Sequence, residues 1–356
     1  MKLDELKVTN LRNITSLAVT LHPAINFISG VNGSGKTSFL EAIYLLSSGH
    51  SFRTREISHL INHGQDFLTI YAKTTDLQKI SIQKALNSPT IARINGVPCQ
   101  SSSELAAFLP CQVFYQDIFQ LIDAGPAIRR NLLDWGMFHV EHNYFSVWKN
   151  YKRVLKQRNA LLKQKARQSL LIPWDKQMSS LAADLDSMRR KYIVELNTQF
   201  EEILQQLTSL KCGLEYQRGW GKKDDLKSLE EILFENYDKD MQRQYTQHGP
   251  HHADLLVSSK EFKAKHYLSR GQQKIILFAL KFAQTKLINK PCVYLIDDMT
   301  SELDQEHVKR LTNYISTTEG QFFITLRPDD IHITGLIDGD IKEIVLSEGC
   351  AQPNTN

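Results

Sequence analysis

Short stretches of alternating apolar and polar residues mark the first hundred positions of the chain. They are found at residues 6–8, 17–21, 67–72, 79–84 and 90–94. A period of two residues predicts strands that bury one face. The last stretch leads into Asn95 and Gly96, a pair that is typical of a tight hairpin turn. The N-terminal region is therefore expected to be rich in strands.

A different pattern follows the first two of these stretches. Residues 25–29, INFIS, predict a short strand that leads into a glycine-rich segment. Apolar residues then recur at helical spacing from Phe39 to Leu46, until Gly49 ends the run. This region is expected to form a strand, a turn and a helix in succession.

Two long stretches without glycine or proline, residues 137–172 and 174–212, predict long helices on either side of Pro173. Apolar residues three or four positions apart form a stripe along the second helix. They are Leu181, Leu185, Met188, Tyr192, Leu196, Phe200, Ile203 and Leu207. We expect an antiparallel helical hairpin with arms of about 40 Å, since each residue adds about 1.5 Å. Pro173 is expected to mark the reversal.

Strand-like and helical patterns return from residue 254 towards the end of the chain. The fold class predicted from the whole pattern is α/β, one head domain split in sequence by an inserted antiparallel helical lobe. The expected boundaries are 1–136 for the first part of the head, 137–247 for the lobe and 248–356 for the second part of the head.

The composition excludes several broad classes of protein. The 356 residues are 42% apolar and include 17 glycines and five cysteines, unlike disordered, collagen-like or disulfide-framework chains. The cysteines lie far apart and form no C-x-x-C pair, so we expect reduced thiols and no zinc knuckle. No apolar run approaches the roughly 18 to 20 residues that a membrane helix needs. A soluble, cytoplasmic protein without membrane association is expected.

The glycine-rich segment matches the motif G-x-x-x-x-G-K-[ST]. Its residues are Gly30, Val31, Asn32, Gly33, Ser34, Gly35, Lys36 and Thr37. Between a strand and a helix, such a loop turns its backbone N–H groups towards phosphate oxygens, and the helix dipole adds to the attraction. Lys36 would pair with the β and γ phosphates of ATP, and Thr37 would ligate Mg²⁺. The alternative is an ordinary glycine-rich turn, which this context disfavours.

A second element of the site is predicted much later in the chain. Residues 291–296 are mostly apolar, are typical of a buried parallel strand, and end at Asp297 and Asp298. Asp297 would hold the Mg²⁺ that Thr37 also contacts, and Asp298 would polarise the attacking water. Taken alone, two acids after an apolar strand more often mark only the end of the strand.

Further motifs resemble those of ABC-type ATPases. Residues 268–273, LSRGQQ, resemble the LSGGQ signature, and residues 301–304 resemble the D-loop. A serine followed three residues later by glutamine could also be an ordinary helix start. The order of P-loop, helical insertion, signature, acidic strand end and D-loop resembles the heads of RecF and SMC proteins. The likeness to the RecF family covers essentially the whole chain and includes NLRN (10–13), SFRT (51–54), RRNLLD (129–134) and HGPH (248–251).

This resemblance implies a P-loop NTPase of the ABC type, in which ATP joins two protomers and hydrolysis parts them. Ser269 of one protomer would cap the γ-phosphate held by the other, and Lys36 and Asp298 would share the catalytic roles. Besides the P-loop, the resemblance implies nucleotide contacts from Arg12, Asn13, Gln116, Ser269, Gly271 and Gln272. For Gln116, an ordinary loop position is a nearly equal alternative.

The chain departs from related patterns at three places. His252 stands where the RecF family usually has arginine. Asp298 stands where transporters and SMC proteins have glutamate, and its shorter side chain predicts a weak ATPase that uses ATP as a switch. Residues 325–327 stand where transporters have a switch histidine, so no histidine sensor of the γ-phosphate is evident.

Basic residues are concentrated in residues 149–167, which contain eight lysines and arginines and no acid, although the whole chain carries only +4. Such a row can neutralise DNA phosphates without reading bases, and the alternative is a solvated helical face. DNA contacts are predicted for Lys149, Lys152, Arg153, Lys156, Arg53 and Arg55. The alternative for Arg129 and Arg130, two further candidates, is that they brace Asp134 or Asp117.

The resemblance implies recombinational repair and replication restart as the biological role. Such a protein would bind gapped DNA or junctions of single and double strands, and would help to load RecA together with RecR and RecO. Two alternatives are a nucleotide-binding subunit of another ABC-type system, such as a transporter, and an SMC-like protein that organises DNA. The helical arms disfavour the first, and their short length disfavours the second.

Overall fold

The computed structural model of the chain divides into two compact units, the first of which is made of segments that are distant in sequence. Unit 1 comprises Met1–Ile118, Gln206–Thr208 and Lys290–Asn356, and unit 2 comprises Phe119–Gln205 and Ser209–Asn289. The structure describes residues 2–115, 125–221, 227–258, 268–337 and 339–351. The split of unit 1 around a largely helical unit 2 confirms the predicted fold class. The predicted domain boundaries stay a prediction.

The secondary structure is mixed along the chain. The strands are β1 Leu3–Leu11, β2 Ile14–Thr20, β3 Ile25–Ser29, β4 Phe67–Thr74, β5 Lys79–Ala85, β6 Ser88–Ile94, β7 Val97–Pro98, β8 Cys111–Phe114, β9 Gly213–Gln217, β10 Asp254–Ser258, β11 Val293–Ile296, β12 Gln321–Leu326, β13 Ile341–Ser347 and β14 Cys350–Ala351. The helices are α1 Lys36–Ser48, α2 Ser102–Phe108, α3 Pro126–Val140, α4 Tyr144–Lys163, α5 Gln168–Leu207, α6 Leu229–Glu235, α7 Tyr237–Arg243, α8 Arg270–Lys286 and α9 Gln305–Thr317. Short 3₁₀ segments lie at Ile57–His59, Pro250–His252 and Pro328–Leu336.

One sheet of unit 1 is antiparallel, with the strand order β2-β1-β4-β5-β6-β7. Along β1, Leu6 and Val8 are buried while Lys7 between them is exposed. The predicted alternation is confirmed in β1, β4 and β5, whereas no residue of β6 is buried. Asn95 and Gly96 join β6 to β7 and both have positive φ, 51° and 84°, as the predicted tight hairpin turn requires.

The other sheet of unit 1 has the order β14-β13-β3-β12-β11-β8, and its strands from β13 to β8 run parallel. Every residue of β3, β11 and β12 is buried, as expected of parallel strands that are covered on both faces. Helix α1 contacts strands of both sheets and belongs to one core cluster with them. The helix after the P-loop is thus fixed between the two sheets.

The apolar stripe predicted for the long helix is largely buried along α5. Leu185, Tyr192, Leu196 and Phe200 are each at most 3% exposed, and Leu181 and Met188 are half-buried. None of the helices in the described ranges is long and apolar enough to cross a membrane. The five cysteines are free thiols.

The predicted reversal at Pro173 is wrong. Helix α4 ends at Lys163 and α5 begins at Gln168, so that Pro173 lies inside α5. In the second turn of a helix, proline removes a single backbone hydrogen bond, which tertiary packing can offset. The two helices are also unequal, with 20 residues in α4 and 40 in α5.

The reversal instead follows a Schellman motif at the end of α4. The N–H of Lys165 donates to the carbonyl of Leu162, and the N–H of Ala166 donates to that of Leu161. Lys165 has φ of 53°, in the left-handed region that glycine usually occupies in this motif. Because that position holds a lysine, the sequence contains no glycine that would indicate the end of the helix.

Candidate nucleotide-binding site

The glycine-rich segment forms a loop that leads from β3 into the N-terminus of α1. Gly35 precedes α1 with φ of 108°, a backbone conformation that favours glycine. A Cβ atom on Gly30 would collide with the carbonyl oxygen of Leu346. The strand, loop and helix therefore have the arrangement in which backbone N–H groups bind an anion.

The Lys36 ammonium group lies against this loop. Its Nζ atom donates to the carbonyl oxygens of Gly30 at 2.6 Å and Val31 at 3.1 Å. Burial lowers the pKa of Lys36, and the charges of Asp297 and Asp298 oppose that change. The P-loop lysine is thus close enough to both acids to interact with them electrostatically.

Thr37 and Asp297, which are distant in sequence, are in contact. Thr37 Oγ1 donates to Asp297 Oδ2 at 3.0 Å, and Thr325 Oγ1 donates to Oδ1 at 2.8 Å. Burial raises the pKa of Asp297, while the hydrogen bonds from Thr325 and Thr37 lower it. The structure brings together the two side chains that were predicted to share Mg²⁺, and their hard oxygen atoms suit that ion.

Asp298 lies at the same edge of the sheet and has φ of 51°. Its backbone N–H donates to Thr325 Oγ1 at 2.8 Å, and its Oδ1 atom lies 3.7 Å from Arg327 Nε. Arg327 also pairs with Asp330 at 3.1 Å. The sequence assigned no role to Thr325 or Arg327. Both residues lie at the end of β12. That position points to the site only once β12 is known to lie beside β11.

These groups line one cavity of about 490 Å³. The residues around it are Arg12, Asn13, Asn32, Gly33, Gly35, Lys36, Thr37, Ser38, Arg53, Asp297, Asp298, Thr325, Leu326 and Arg327. Four cationic and two anionic side chains among them give a net charge of 4 − 2 = +2. A cavity of this size and sign suits a small polyanion.

The two predicted nucleotide contacts near the N-terminus belong to this cavity. Asn13 Nδ2 donates to the carbonyl oxygen of Gly33 at 2.7 Å, and Ser38 Oγ donates to Asn13 Oδ1 at 3.0 Å. Arg12 forms an ion pair with Glu41 behind the cavity wall. The turn between β1 and β2 is therefore tied to the P-loop and to α1.

Arg53 and Arg55, both predicted to contact DNA, lie in different surroundings. Arg53 lines the cavity, and its charge lowers the pKa of Asp297. Arg55 is exposed and is not part of the cavity wall. The contact of either residue with DNA stays a prediction.

The signature residues belong to unit 2. Ser269 is the exposed N-cap of α8 and accepts from the N–H of Gln272 at 3.3 Å, while Gln272 Oε1 accepts from the N–H of Ser269 at 2.9 Å. Gly271 lies in the first turn of the same helix. This reciprocal pair is a capping box. Gln116 lies outside the described residues.

One side of α4 is basic. Lys149, Lys152, Arg153 and Lys156 are exposed at spacings of three, one and three residues, which places them on one face. Tyr151, Val154, Leu155 and Leu162 are buried on the opposite side. A row of cations therefore follows the outer face of this helix.

Arg158 differs from the exposed cations of the basic segment and belongs neither to their row nor to a solvated face. Its side chain is completely buried and pairs with Asp175 at 2.6 Å and Asp240 at 2.7 Å. A buried guanidinium requires such compensation. Arg129 pairs with Asp254 at 2.7 Å, while Asp117, one of the two acids that it was expected to brace, lies outside the described residues.

The HGPH segment is held in unit 2 by hydrogen bonds. His251 Nδ1 lies 2.7 Å from the Tyr151 hydroxyl group, and Nε2 lies 3.1 Å from the carbonyl oxygen of Thr246. Burial lowers the pKa of His251 to about 3, so the ring is neutral near pH 7. Within the described ranges, no three His, Cys, Asp or Glu side chains are arranged to hold a metal ion.

The fold and this site define a P-loop ATPase head of the ABC class. A family model for the RecF/RecN/SMC N terminal domain matches residues 2–332. The crystal structure of an Smc head bound to the C-winged helix domain of ScpA has the same fold, with a TM-score of 0.63 at 18% identity over 99% of this chain and 96% of that one.

Comparisons with individual proteins identify the family within this class. The DNA replication and repair protein RecF of Shigella dysenteriae serotype 1 is 36% identical over 357 residues, which cover 98% of this chain and 99% of that protein. A structure of the recombination mediator protein RecF with ATP, from the RecFOR pathway, has a TM-score of 0.85 at 26% identity and covers 98% of each chain. The chain therefore belongs to the RecF family of DNA replication and repair proteins.

Replacing Thr325 with valine is expected to destabilise unit 1. The Thr325 hydroxyl joins Asp297 to the backbone of Asp298, so the substitution leaves two groups without this partner. Such a loss costs about 1–3 kcal/mol of unfolding free energy, which thermal unfolding would show as a lower midpoint.

The matched control is Thr312→Val in α9. Thr312 is also buried, and its hydroxyl donates to the carbonyl oxygen of Val308 within the helix, a type of bond that adds little stability. Equal destabilisation by the two substitutions would contradict the role assigned to Thr325.

Proposed function

We propose that this protein binds ATP with Mg²⁺ in the cavity of unit 1 and uses the nucleotide to control DNA binding in recombinational repair and replication restart. The observation that carries the proposal is the contact between Thr37 and Asp297 beside the P-loop, in a positively charged cavity. The solved RecF with a TM-score of 0.85 contains ATP, which supports the same nucleotide here.

The residues of the cavity suit each part of the ligand. The loop from Gly30 to Gly35 and the N-terminus of α1 provide N–H groups for the phosphates. Lys36 neutralises the β and γ phosphates, and Thr37 and Asp297 offer oxygen ligands to Mg²⁺. The ion, when bound, neutralises charge on the phosphates. Arg12 and Asn13 provide further contacts from this unit.

A second protomer is proposed to complete the site. Ser269 is exposed at the N-terminus of the 17-residue helix α8, and such a terminus attracts phosphate groups. Ser269, Gly271 and Gln272 of one protomer would then cap the γ-phosphate held by the other. ATP therefore favours a dimer, and hydrolysis removes the group that joins the two protomers.

MgATP is expected to convert the monomer into a dimer, as measured by sedimentation velocity. Lys36→Met removes the cation that pairs with the phosphates, and Ser269→Arg blocks the cap, so both should abolish dimerisation. Ser228→Arg is the matched control, because Ser228 is also the exposed N-cap of a capping box in unit 2. If Lys36→Met and Ser269→Arg form dimers with MgATP as well as the wild type does, this mechanism is ruled out.

Hydrolysis is proposed to be weak, so that ATP acts as a switch. Asp298 is the candidate for orienting the attacking water, and its carboxylate is one methylene shorter than that of glutamate. Arg327, 3.7 Å away, also attracts this carboxylate. Both features leave Asp298 poorly placed to act on water.

Asp298→Glu is therefore expected to hydrolyse ATP faster than the wild type in single-turnover experiments. Asp298→Asn should be slower by about a hundredfold, the order of a general-base contribution, while it still binds MgATP. A rate for Asp298→Glu that does not exceed that of the wild type would count against the proposed cause of slow hydrolysis.

DNA is proposed to bind along the basic face of α4. Exposed lysines and arginines there can neutralise phosphates without reading the sequence, which suits recognition of gapped DNA or junctions of single and double strands. The RecFOR pathway named for the solved relative supports RecR and RecO as partners and the loading of RecA as the outcome. The cytoplasm, where bacterial DNA is repaired, is the proposed location.

Lys152→Ala with Lys156→Ala is expected to weaken DNA binding and its dependence on salt. Each lost phosphate contact lowers the slope of log K against log salt by about 0.9, so two contacts lower it by about 1.8. Lys239→Ala with Arg243→Ala is the control, since these exposed cations have the same spacing on α7 of the same unit. An unchanged slope for the α4 variant, measured by fluorescence anisotropy, would exclude this face.

A further inference from the structure

Glu41 is a completely buried carboxylate on α1, one helical turn after Thr37. Its Oε2 atom accepts from Arg12 Nε, and its Oε1 atom accepts from Arg12 Nη2 at 2.9 Å and from the hydroxyl of Ser51. Glu41 itself does not line the nucleotide cavity. Its bonds therefore reach two segments of the cavity wall from behind.

The first segment is the turn that carries Arg12. Its backbone N–H donates to Leu60 O at 2.7 Å, its carbonyl accepts from Asn62 Nδ2 at 2.6 Å, and Nη1 donates to His59 O at 3.2 Å. Arg12 has φ of 52°, and such backbone strain persists only where the surroundings impose it. The guanidinium, fixed at both its backbone and its charged end, is pre-positioned at the cavity.

The second segment is the turn that carries Arg53. The Ser51 hydroxyl donates its proton to Glu41 and accepts from the N–H groups of Arg53 at 2.9 Å and Thr54 at 3.1 Å. This hydroxyl thus ties the backbone of the turn to the buried carboxylate. Arg53 lies in this turn, two residues after Ser51, and its side chain lines the same cavity as Arg12.

The need for such an anchor follows from the charges. Arg12, Lys36, Arg53 and Arg327 face one cavity, in which Asp297 and Asp298 balance only part of their charge, and the excess of cations in a partly buried space is repulsive. Glu41 places one negative charge behind the wall, where it cannot compete with a nucleotide for the front of the cavity. Bidentate pairing also holds the guanidinium of Arg12 in one orientation.

We propose that Glu41 is a positioning residue for the nucleoside triphosphate, which holds Arg12 directly and Arg53 through Ser51 against the polyphosphate without touching it. The inference rests on the proposed binding of ATP in this cavity. It assigns to a buried side chain an effect on nucleotide affinity that is exerted entirely through the two arginines it holds.

The decisive measurement is MgATP affinity by titration calorimetry in a mutant cycle. Glu41→Gln keeps the size of the side chain and should weaken binding about ten- to hundredfold, the value of a charged hydrogen bond. In the background of Arg12→Ala with Arg53→Ala, the same substitution should change affinity by less than about twofold, because its targets are gone. If Glu41→Gln weakens binding in this background as much as it does in the wild type, the proposal is overturned.

Serine variants keep the test decisive if Glu41→Gln does not fold. Ser51→Ala should weaken MgATP binding, and Arg53→Ala should remove most of that effect. Ser47→Ala is the matched control, because Ser47 lies on α1 and its hydroxyl donates only to the carbonyl oxygen of Tyr44. Equal affinities for Ser51→Ala and Ser47→Ala would contradict the anchor.

The outcome also separates this proposal from the proposed function. If the wild type does not bind MgATP, or Lys36→Met binds it equally well, the nucleotide site itself is wrong. If the wild type binds and a folded Glu41→Gln protein binds with the same affinity, only the positioning role fails.

Discussion

The candidate site depends on the parallel alignment of β3, β12 and β11. Parallel neighbours point their carboxyl ends to the same edge of a sheet, and the loops that follow them share that edge. The P-loop follows β3, Arg327 follows β12, and Asp297 follows β11. Thr37, Asp297 and Thr325 meet there through hydrogen bonds of 2.8 and 3.0 Å. Without this order of strands, the same motifs would lie too far apart to form one cavity.

Buried charges fix the surroundings of this edge and the interior of the helical unit. Glu41 pairs with Arg12 in unit 1, whereas Arg158 pairs with Asp175 and Asp240 in unit 2. An isolated buried charge is very unfavourable, so each of these groups restricts the positions of its neighbours. The same chemistry therefore serves two purposes. It orients a cationic wall in one unit and joins helices α4, α5 and α7 in the other.

Much of the fold could be predicted because its signals are local. The P-loop between a strand and a helix, the Asn95-Gly96 turn and the apolar stripe of α5 each depend on residues within a few positions of one another. The reversal between α4 and α5 could not be read in this way. Proline usually indicates an interruption, but the helix ended at Lys163, two residues before the left-handed Lys165, and Pro173 was accommodated inside the next helix. Packing of α5 decided that outcome, since a stripe of buried side chains outweighs one lost backbone bond.

The sequence by itself determined the class of protein, the residues of the P-loop and the acids after β11, because their chemistry requires particular residues at fixed spacings. Only the tertiary structure decided which other side chains join them. Charge alone does not reveal that Arg158 is buried while Lys156 is exposed, or that Arg53 and Arg327 face the cavity. Those distinctions depend on which elements pack together. The physical reason is that the energy of a charged group is set by its neighbours in space, and chain order does not specify those neighbours.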